Sequence, residues 1–156
     1  MPTRSELQAM LQQSRERFDA AVKGVDDATL ESQAVCGVWS SRDVAGHLAD
    51  WNDEFIAAVE HALGGEAPAG HPIEDGEAYN MGHAAARSSQ PWAAARADFD
   101  GSVERLAALL RQVDDERLAT PAMQPWGEDG TVAEVIFYAP DHMNEHIVDL
   151  ENSLSR

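Results

Sequence analysis

The amino-acid sequence predicts an all-α protein, an up-down four-helix bundle with a long connection between its second and third helices. Four stretches of about twenty residues place apolar side chains at three- and four-residue steps, which is the period of an amphipathic helix. Each stretch is bounded by helix start or stop signals. With 156 residues and 44% hydrophobic content, the chain can build one core and leaves little room for a second. We therefore expect a single domain over residues 1–156.

The first two predicted helices are delimited by capping residues. The first spans residues 3–23 and stops at Gly24, because glycine readily adopts the backbone conformation that ends a helix. The second begins after Ser40 and continues to residue 63. Asp43 lies three residues after Ser40 and completes a variant of the capping box, in which each side chain accepts a hydrogen bond from the free backbone amide of the other residue.

The third and fourth predicted helices also carry start signals. The third follows Pro91, a residue suited to the first helical position, and runs to about residue 113. The fourth starts at Thr131, with Glu134 completing a capping box, and ends near residue 150 or 153. Pro140 lies inside it and removes one backbone hydrogen bond, so we expect a kinked rather than a broken helix.

The connections are expected to contain little regular structure. Residues 64–90 are rich in Gly, Pro, Ala and Asp, and a structureless loop of that length is uncommon in a small domain. We expect a short helix over residues 74–87 that covers something, and a lid is one candidate. The stretches VCGVW and PWGEDGTV can form short extended pieces at most.

Composition excludes several classes of partner. The chain has 11 Lys and Arg against 28 Asp and Glu, a formal net charge of −17, and no cluster of basic residues. Nucleic acid and anionic membrane surfaces would be repelled, so we expect neither as a partner. The N-terminus lacks a signal region and no run of about 18 apolar residues occurs, so a cytoplasmic location is expected. Cys36, the only cysteine, fits a reducing compartment and is interpreted as a packing residue.

Three histidines form the candidate site. His142 and His146 are four residues apart on the fourth helix, so their imidazoles point the same way and can reach one metal ion. Such a pair alone is more often two ordinary histidines. His47 lies within the apolar stripe of the second helix, and facing helices of a bundle bring such side chains together in the core. Three imidazoles suit Zn²⁺, Ni²⁺, Fe²⁺ or Cu²⁺ and leave positions open for water or substrate.

The stretch GVWSSRDVAGHLADWNDEFIAAV resembles the signature of the DinB-like superfamily of four-helix bundles. In that signature a Trp-Ser-x-x-Asp start, here ending at Asp43, leads to a histidine four residues later. The late His-x-x-x-His is similar to the other two ligands of the family. The resemblance implies that His47, His142 and His146 bind a divalent metal and that the protein forms a homodimer.

Members of the superfamily include mycothiol-dependent maleylpyruvate isomerases and a colibactin-resistance hydrolase. The resemblance therefore implies a metal-dependent enzyme that acts on a small molecule, as a thiol-dependent S-transferase or isomerase that uses a low-molecular-weight thiol. Two alternatives remain open. One is a hydrolase that uses a metal-bound water, and the other is a stress-associated module that binds a metal or small molecule without turnover. A third interpretation treats the three histidines as packing residues.

Other side chains are candidates for the surroundings of the site. Asp43 and Asp50 flank His47 and can hold its ring through the second nitrogen, although Asp43 is also explained as a helix cap. Trp51, one turn after His47, is the best candidate for a pocket wall. Tyr79 and Asn80 in the long connection are candidates to close over the site, although a plain loop contact is the more common role.

Charged residues outside the trio are assigned weaker roles. Arg42 and Arg87 are candidates for anchoring a substrate carboxylate, but such arginines are more often solvated. Glu145 points about 100° away from His146 and is assigned to the surface. The remaining histidines are out of register with the trio: His61, His71 and His83.

Overall fold

Four long helices and several short elements make up the computed structural model, which describes residues 1–155. The long helices are α1 (Arg4–Val22), α3 (Ser41–Ala62), α5 (Trp92–Arg111) and α6 (Val132–Leu154). The short helices are α2 (Asp27–Ser32) and α4 (Gly76–Ala86), and a 3₁₀ turn covers Arg117–Ala119. Two antiparallel hairpins pair β1 (Ala34–Cys36) with β2 (Trp39–Ser40), and β3 (Pro121–Met123) with β4 (Asp129–Thr131). The predicted four-helix bundle is confirmed.

Helix starts follow the local signals in the sequence. The Ser40 hydroxyl accepts from the Asp43 amide, and the Asp43 carboxylate accepts from the Ser40 amide at 3.0 Å. Thr131 and Glu134 form the same reciprocal pair at the start of α6. These caps satisfy amides that have no partner within the helix, so they fix where α3 and α6 begin.

The direction of the helices differs from a simple up-down bundle. Ser14 on α1 is hydrogen-bonded to Asn144 on α6, and Arg17, further along α1, pairs with Glu151, further along α6. Because the residue numbers of both partners increase together, the two helices are parallel. The same argument applies to α3 and α5, which are linked by a hydrogen bond from Asn52 to Ser102 and by an ion pair between residues 53 and 105. The predicted up-down order of helix directions is thus corrected: the bundle consists of two parallel pairs, α1 with α6 and α3 with α5.

The two parallel pairs run in opposite directions. Between α1 and α5, Arg15 pairs with Asp100 while Asp19, further along α1, pairs with Arg96, so these helices are antiparallel. Around the bundle the order is α1, α6, α3 and α5, because α1 packs against α5 and α6, and α3 against the same two helices. α3 and α6 are therefore antiparallel neighbours.

The long connection between α3 and α5 follows from this arrangement. Since α5 runs parallel to α3, the chain must return the length of the bundle, about 30 Å for the 20 residues of α5. The connection between Ala62 and Trp92 covers this distance and includes α4, which agrees with the short helix predicted there. Short loops favour antiparallel neighbours, and the expectation of alternating directions failed between α3 and α5, whose connection is long enough to return the chain.

Two details of the prediction concern shorter features. Helix α6 continues through Pro140 as expected, and the Pro140 carbonyl accepts a hydrogen bond of 3.4 Å from Ser14 on α1. Helix α2 and the 3₁₀ turn were missed, because six and three residues are too few to show a helical period. Within residues 1–155, no helix combines the length and apolar character needed to cross a membrane.

Candidate metal centre

The three predicted histidines lie together where α3 faces α6. His47 belongs to the buried stripe of α3, and His142 and His146 lie on successive turns of α6. Met143 and Ile147, the residues that follow the two α6 histidines, are fully buried and fix the rotation of this helix. The face that carries the histidines is thereby turned toward α3.

The three rings converge on one point. The Nε2 atoms of His47 and His142 are 2.9 Å apart, and one ligand nitrogen from each of the three residues lies within 4.8 Å of the others. Ring centroids are separated by 4.8 to 4.9 Å for all three pairs. Since metal–imidazole bonds measure about 2.0–2.1 Å, these nitrogens are close enough to reach one ion.

Burial keeps the imidazoles neutral. It lowers the pKa of His47 to about 2 and that of His142 to about 3, with a smaller contribution from the neighbouring imidazoles. Burial also lowers the pKa of His146. A neutral imidazole offers a nitrogen lone pair, whereas a protonated one does not, so all three rings are in the form that binds metal at neutral pH.

The outer nitrogens of the two α6 histidines are less well supported. The Nδ1 atoms of His142 and His146 are buried without a hydrogen-bond partner among the described residues. Asp149 is the acid nearest to His146, with its Oδ2 atom 3.6 Å from Nδ1. A carboxylate behind a ligand imidazole commonly orients the ring, and Asp149 is one small shift from that role. The spacing His146-x-x-Asp149 on one helix face was the sequence signal for it.

An aromatic pocket of about 380 Å³ opens above the histidines. Trp39 packs on His47 with ring centroids 4.7 Å apart, and Trp126 meets Tyr138 edge-on at 5.0 Å. Trp51, the predicted wall, does line the pocket. The remaining lining residues outside the trio are Phe55, Asn80, Asp141 and Glu145. A substrate bound here would be held against flat apolar surfaces beside the three imidazoles.

The sequence profile of the DinB superfamily matches residues 10–148. The chain belongs to the DinB superfamily. The match includes parts of all four long helices and the three candidate ligands, which agrees with the resemblance found in the sequence. No curated protein sequence matches the chain.

Solved structures of DinB-like proteins share the fold at low sequence identity. A mycothiol-dependent maleylpyruvate isomerase superposes with a TM-score of 0.80 at 18% identity, over 96% of this chain and 61% of its own. The chain therefore spans about three fifths of that enzyme. YfiT from Bacillus subtilis, described as a probable metal-dependent hydrolase with an unusual four-helix bundle topology, gives a TM-score of 0.74 at 22% identity, over 96% of this chain and 84% of its own.

A third DinB-like structure has a different kind of partner. The colibactin self-resistance protein ClbS, solved in complex with double-stranded DNA, matches with a TM-score of 0.81 at 12% identity, over 99% of this chain and 98% of its own. Identity at this level establishes the shared fold alone. The prediction that this DinB-superfamily chain does not bind nucleic acid rests on its own charge of −17.

Two acids predicted to hold the His47 ring are engaged elsewhere. The Asp43 carboxylate accepts from Ser40 and Arg42 in capping α3. Asp50 accepts two hydrogen bonds from Arg87, at 2.6 and 2.9 Å. Within residues 1–155 neither acid is hydrogen-bonded to His47, because each turns toward the cation beside it.

The two candidate carboxylate anchors are also occupied. Arg42 pairs with Asp43 at 2.9 Å. Arg87 donates to Asp50, Gln90 and Asp98, which raises its own pKa and lowers that of Asp98. Arg42 and Arg87 are absent from the lining of the aromatic pocket, so neither serves as an anchor there.

The crossover helix α4 lies beside the pocket, where Asn80 belongs to the lining and Tyr79 does not. Asn80 accepts a 2.8 Å hydrogen bond from the Trp51 indole, and Tyr79 packs on Trp51 at 5.0 Å. The Tyr79 hydroxyl donates a hydrogen bond to Glu54. Burial is the main cause that raises the pKa of Tyr79, and this hydrogen bond raises it further. His83, which the sequence interpretation set aside, stacks on Tyr79 and meets Asp50 at 3.2 Å. These contacts fix α4 in place beside the site.

Proposed function

We propose that the chain is a metal-dependent enzyme whose mononuclear site is formed by His47, His142 and His146, and that it transfers a low-molecular-weight thiol to a small electrophile. The convergence of three neutral imidazoles beside an open aromatic pocket carries this proposal. Three protein ligands leave positions free for an exogenous group, which is the pattern of catalytic rather than structural sites.

In this proposal the metal ion would activate the nucleophile, and the protein side chains would hold the ion and position the substrate. When bound, a divalent ion would lower the pKa of a coordinated thiol or water and so supply a nucleophile near neutral pH. The chain would hold the ion through three nitrogens and keep its ligands neutral by burial. Trp51 and Trp126 would orient the electrophile and exclude water from its apolar part.

Structural likeness supports the thiol-dependent interpretation and one alternative. The maleylpyruvate isomerase neighbour is mycothiol-dependent by its description, but it is longer than this chain, so its activity enters here only as a proposal. Hydrolysis by a metal-bound water is the second candidate. It is supported by the likeness to YfiT, which extends over 84% of that protein.

Elemental analysis tests the metal site. The protein is purified without metal-affinity resin, and His47→Ala, His142→Ala and His146→Ala are compared with His61→Ala. His61 is an exposed histidine near the end of α3 and is the matched control. We expect about one metal per chain in the wild type and in the control, and loss of metal in each site variant. Failure to bind Zn²⁺, Ni²⁺ or Fe²⁺ after addition would refute the proposal.

Turnover distinguishes the remaining functions. The metal-loaded protein is assayed with mycothiol, bacillithiol and glutathione against an uncharged aromatic electrophile, and separately with aryl esters in the absence of thiol. Metal-dependent thioether formation supports the transferase. Ester cleavage without thiol supports the hydrolase, whereas a loaded protein inactive in both assays indicates a binding module.

A further inference from the structure

The pocket beside the three histidines has an uneven distribution of charge. Its lining contains two carboxylates, Asp141 and Glu145, and neither lysine nor arginine. Both acids are exposed, and each directly precedes one of the α6 histidines in the chain. They are therefore one helical turn apart and form an acidic rim beside the His142 and His146 pair.

The acidic rim is free to receive a ligand. Among residues 1–155, no hydrogen bond or ion pair to the Asp141 or Glu145 carboxylate is formed. This contrasts with Glu151 on the same helix, which is neutralised by Arg17 at 2.9 Å. Arg87 of the long crossover and Arg42 of α3 are paired with other acids.

The aromatic lining of the pocket favours the same kind of ligand. Trp39, Trp51 and Trp126 present aromatic surfaces to the pocket, together with Tyr138, whose hydroxyl forms no hydrogen bond among the described residues. Aromatic faces attract cations as well as apolar groups. In the metal-free site, a substrate carboxylate near the rim would meet two like charges and no counterion, and it would be repelled.

We propose that this site selects a substrate with an ammonium or other cationic group attached to an aromatic or apolar body. The cation would lie between Asp141 and Glu145, and the body would pack against the tryptophans. This inference rests on the proposed function, since it names the substrate class of the same site. It also predicts that substrates carrying a carboxylate at the rim are rejected.

A series of three probes tests the selection. Binding of 2-phenylethylamine, 2-phenylethanol and 3-phenylpropionate is measured by tryptophan fluorescence at pH 7, in metal-loaded and metal-stripped protein. The ammonium and the alcohol have similar size, so the ratio of their affinities in the metal-stripped protein reports the rim. In the metal-loaded protein the ion would repel the ammonium and could bind the alcohol oxygen, which lowers the ratio. In the stripped protein we expect the ammonium to bind about tenfold more tightly than the alcohol at low salt, from two carboxylates at partly solvated distances.

Matched variants separate the rim from the overall charge of the protein. In Asp141→Asn/Glu145→Gln the ammonium preference should fall to about one. Glu60→Gln/Glu116→Gln removes the same two charges from exposed positions outside the pocket and should leave the preference unchanged. An ammonium that binds no better than the alcohol overturns the inference. So does a preference that persists in the rim variant or disappears equally in the control.

The outcome is independent of the metal proposal. Binding in the stripped protein tests the rim whether or not the histidines hold an ion. If the ammonium preference is present and no metal binds, the proposed function fails and the rim stands. If metal and thiol turnover are found without the preference, the substrate class alone fails.

Discussion

Arg87, at the end of the crossover helix, links it to α3 and α5, and its removal should destabilise the protein by about 3 kcal/mol. The guanidinium donates to Asp50 at 2.6 and 2.9 Å and to Asp98 at 2.7 Å. Only 19% of the Arg87 side chain and 11% of Asp50 are exposed. Hydrogen bonds to charged groups contribute about 1.5–3 kcal/mol each, and breaking a buried pair costs about 3–5 kcal/mol.

The expected loss lies at the lower end of the range of about 3–5 kcal/mol for breaking a buried ion pair, for two structural reasons. Asp98 is half exposed, so its share is screened by solvent, and Asp50 keeps His83 at 3.2 Å as a partial replacement. A loss of about 3 kcal/mol lowers the melting temperature by roughly 6–12 °C in a protein of this size. Urea unfolding of Arg87→Ala, followed by tryptophan fluorescence and circular dichroism, measures the change directly.

Arg105→Ala is the matched control. Arg105 pairs with Asp53, but 56% and 53% of these two side chains are exposed, so we expect a loss below about 1 kcal/mol. If Arg87→Ala destabilises the protein no more than Arg105→Ala does, the reasoning from burial and geometry is wrong. If the free energy of unfolding of Arg87→Ala equals that of the wild type, the crossover helix is held by other contacts.

Two further predictions concern backbone space and protonation. A Cβ on Gly46 would lie 2.5 Å from Cδ of Arg87, so Gly46→Ala should destabilise, while Gly82→Ala, with nothing within 4 Å, should gain about 0.5–1 kcal/mol from helix propensity; urea midpoints of both variants decide this. In metal-free protein, burial holds the pKa of His47 and His142 at about 2 and 3, below the ordinary value of 6.5, so the unfolded chain takes up protons first. The contribution of these two histidines to the free energy of unfolding should be constant above about pH 6.5 and fall by up to about 1.4 kcal/mol per pH unit for each histidine below it. The urea midpoints at pH 7.5 and pH 5 should therefore lie closer together in a His47→Gln/His142→Gln variant than in the wild type.

Local features of the fold could be predicted because they depend on residues close in sequence. Ser40 with Asp43, and Thr131 with Glu134, fix the starts of α3 and α6 through bonds three residues long. The His142 and His146 pair is likewise a local property of one helix. Adding His47 required the further assumption that α3 and α6 face each other in a bundle, and the resemblance to a known family agreed with it.

Non-local features could not be predicted in this way. The parallel direction of α3 and α5 is set by which helix faces pack, and the hydrogen bond between Asn52 and Ser102 that shows it joins residues 50 positions apart. The partners of Asp50 were missed for the same reason, since Arg87 reaches it from a different helix. The Trp126 wall comes from a loop whose position depends on the β3–β4 hairpin, and no pattern in the sequence indicated it.

The crossover helix and the bundle are held by different forces, and this has a consequence for their behaviour in solution. None of the residues of α4 is fully buried, and ion pairs and polar hydrogen bonds to α3 provide most of its attachment. The bundle is closed by apolar packing. Added salt screens charges over distances of about 8 Å at 0.15 M, less strongly for buried pairs such as Arg87 and Asp50 than for exposed ones such as Arg87 and Asp98, and it does not weaken apolar packing. Amide hydrogen exchange in α4 should therefore accelerate with ionic strength while the long helices stay protected, so the wall bearing Asn80 is the part of the pocket most responsive to its ionic surroundings.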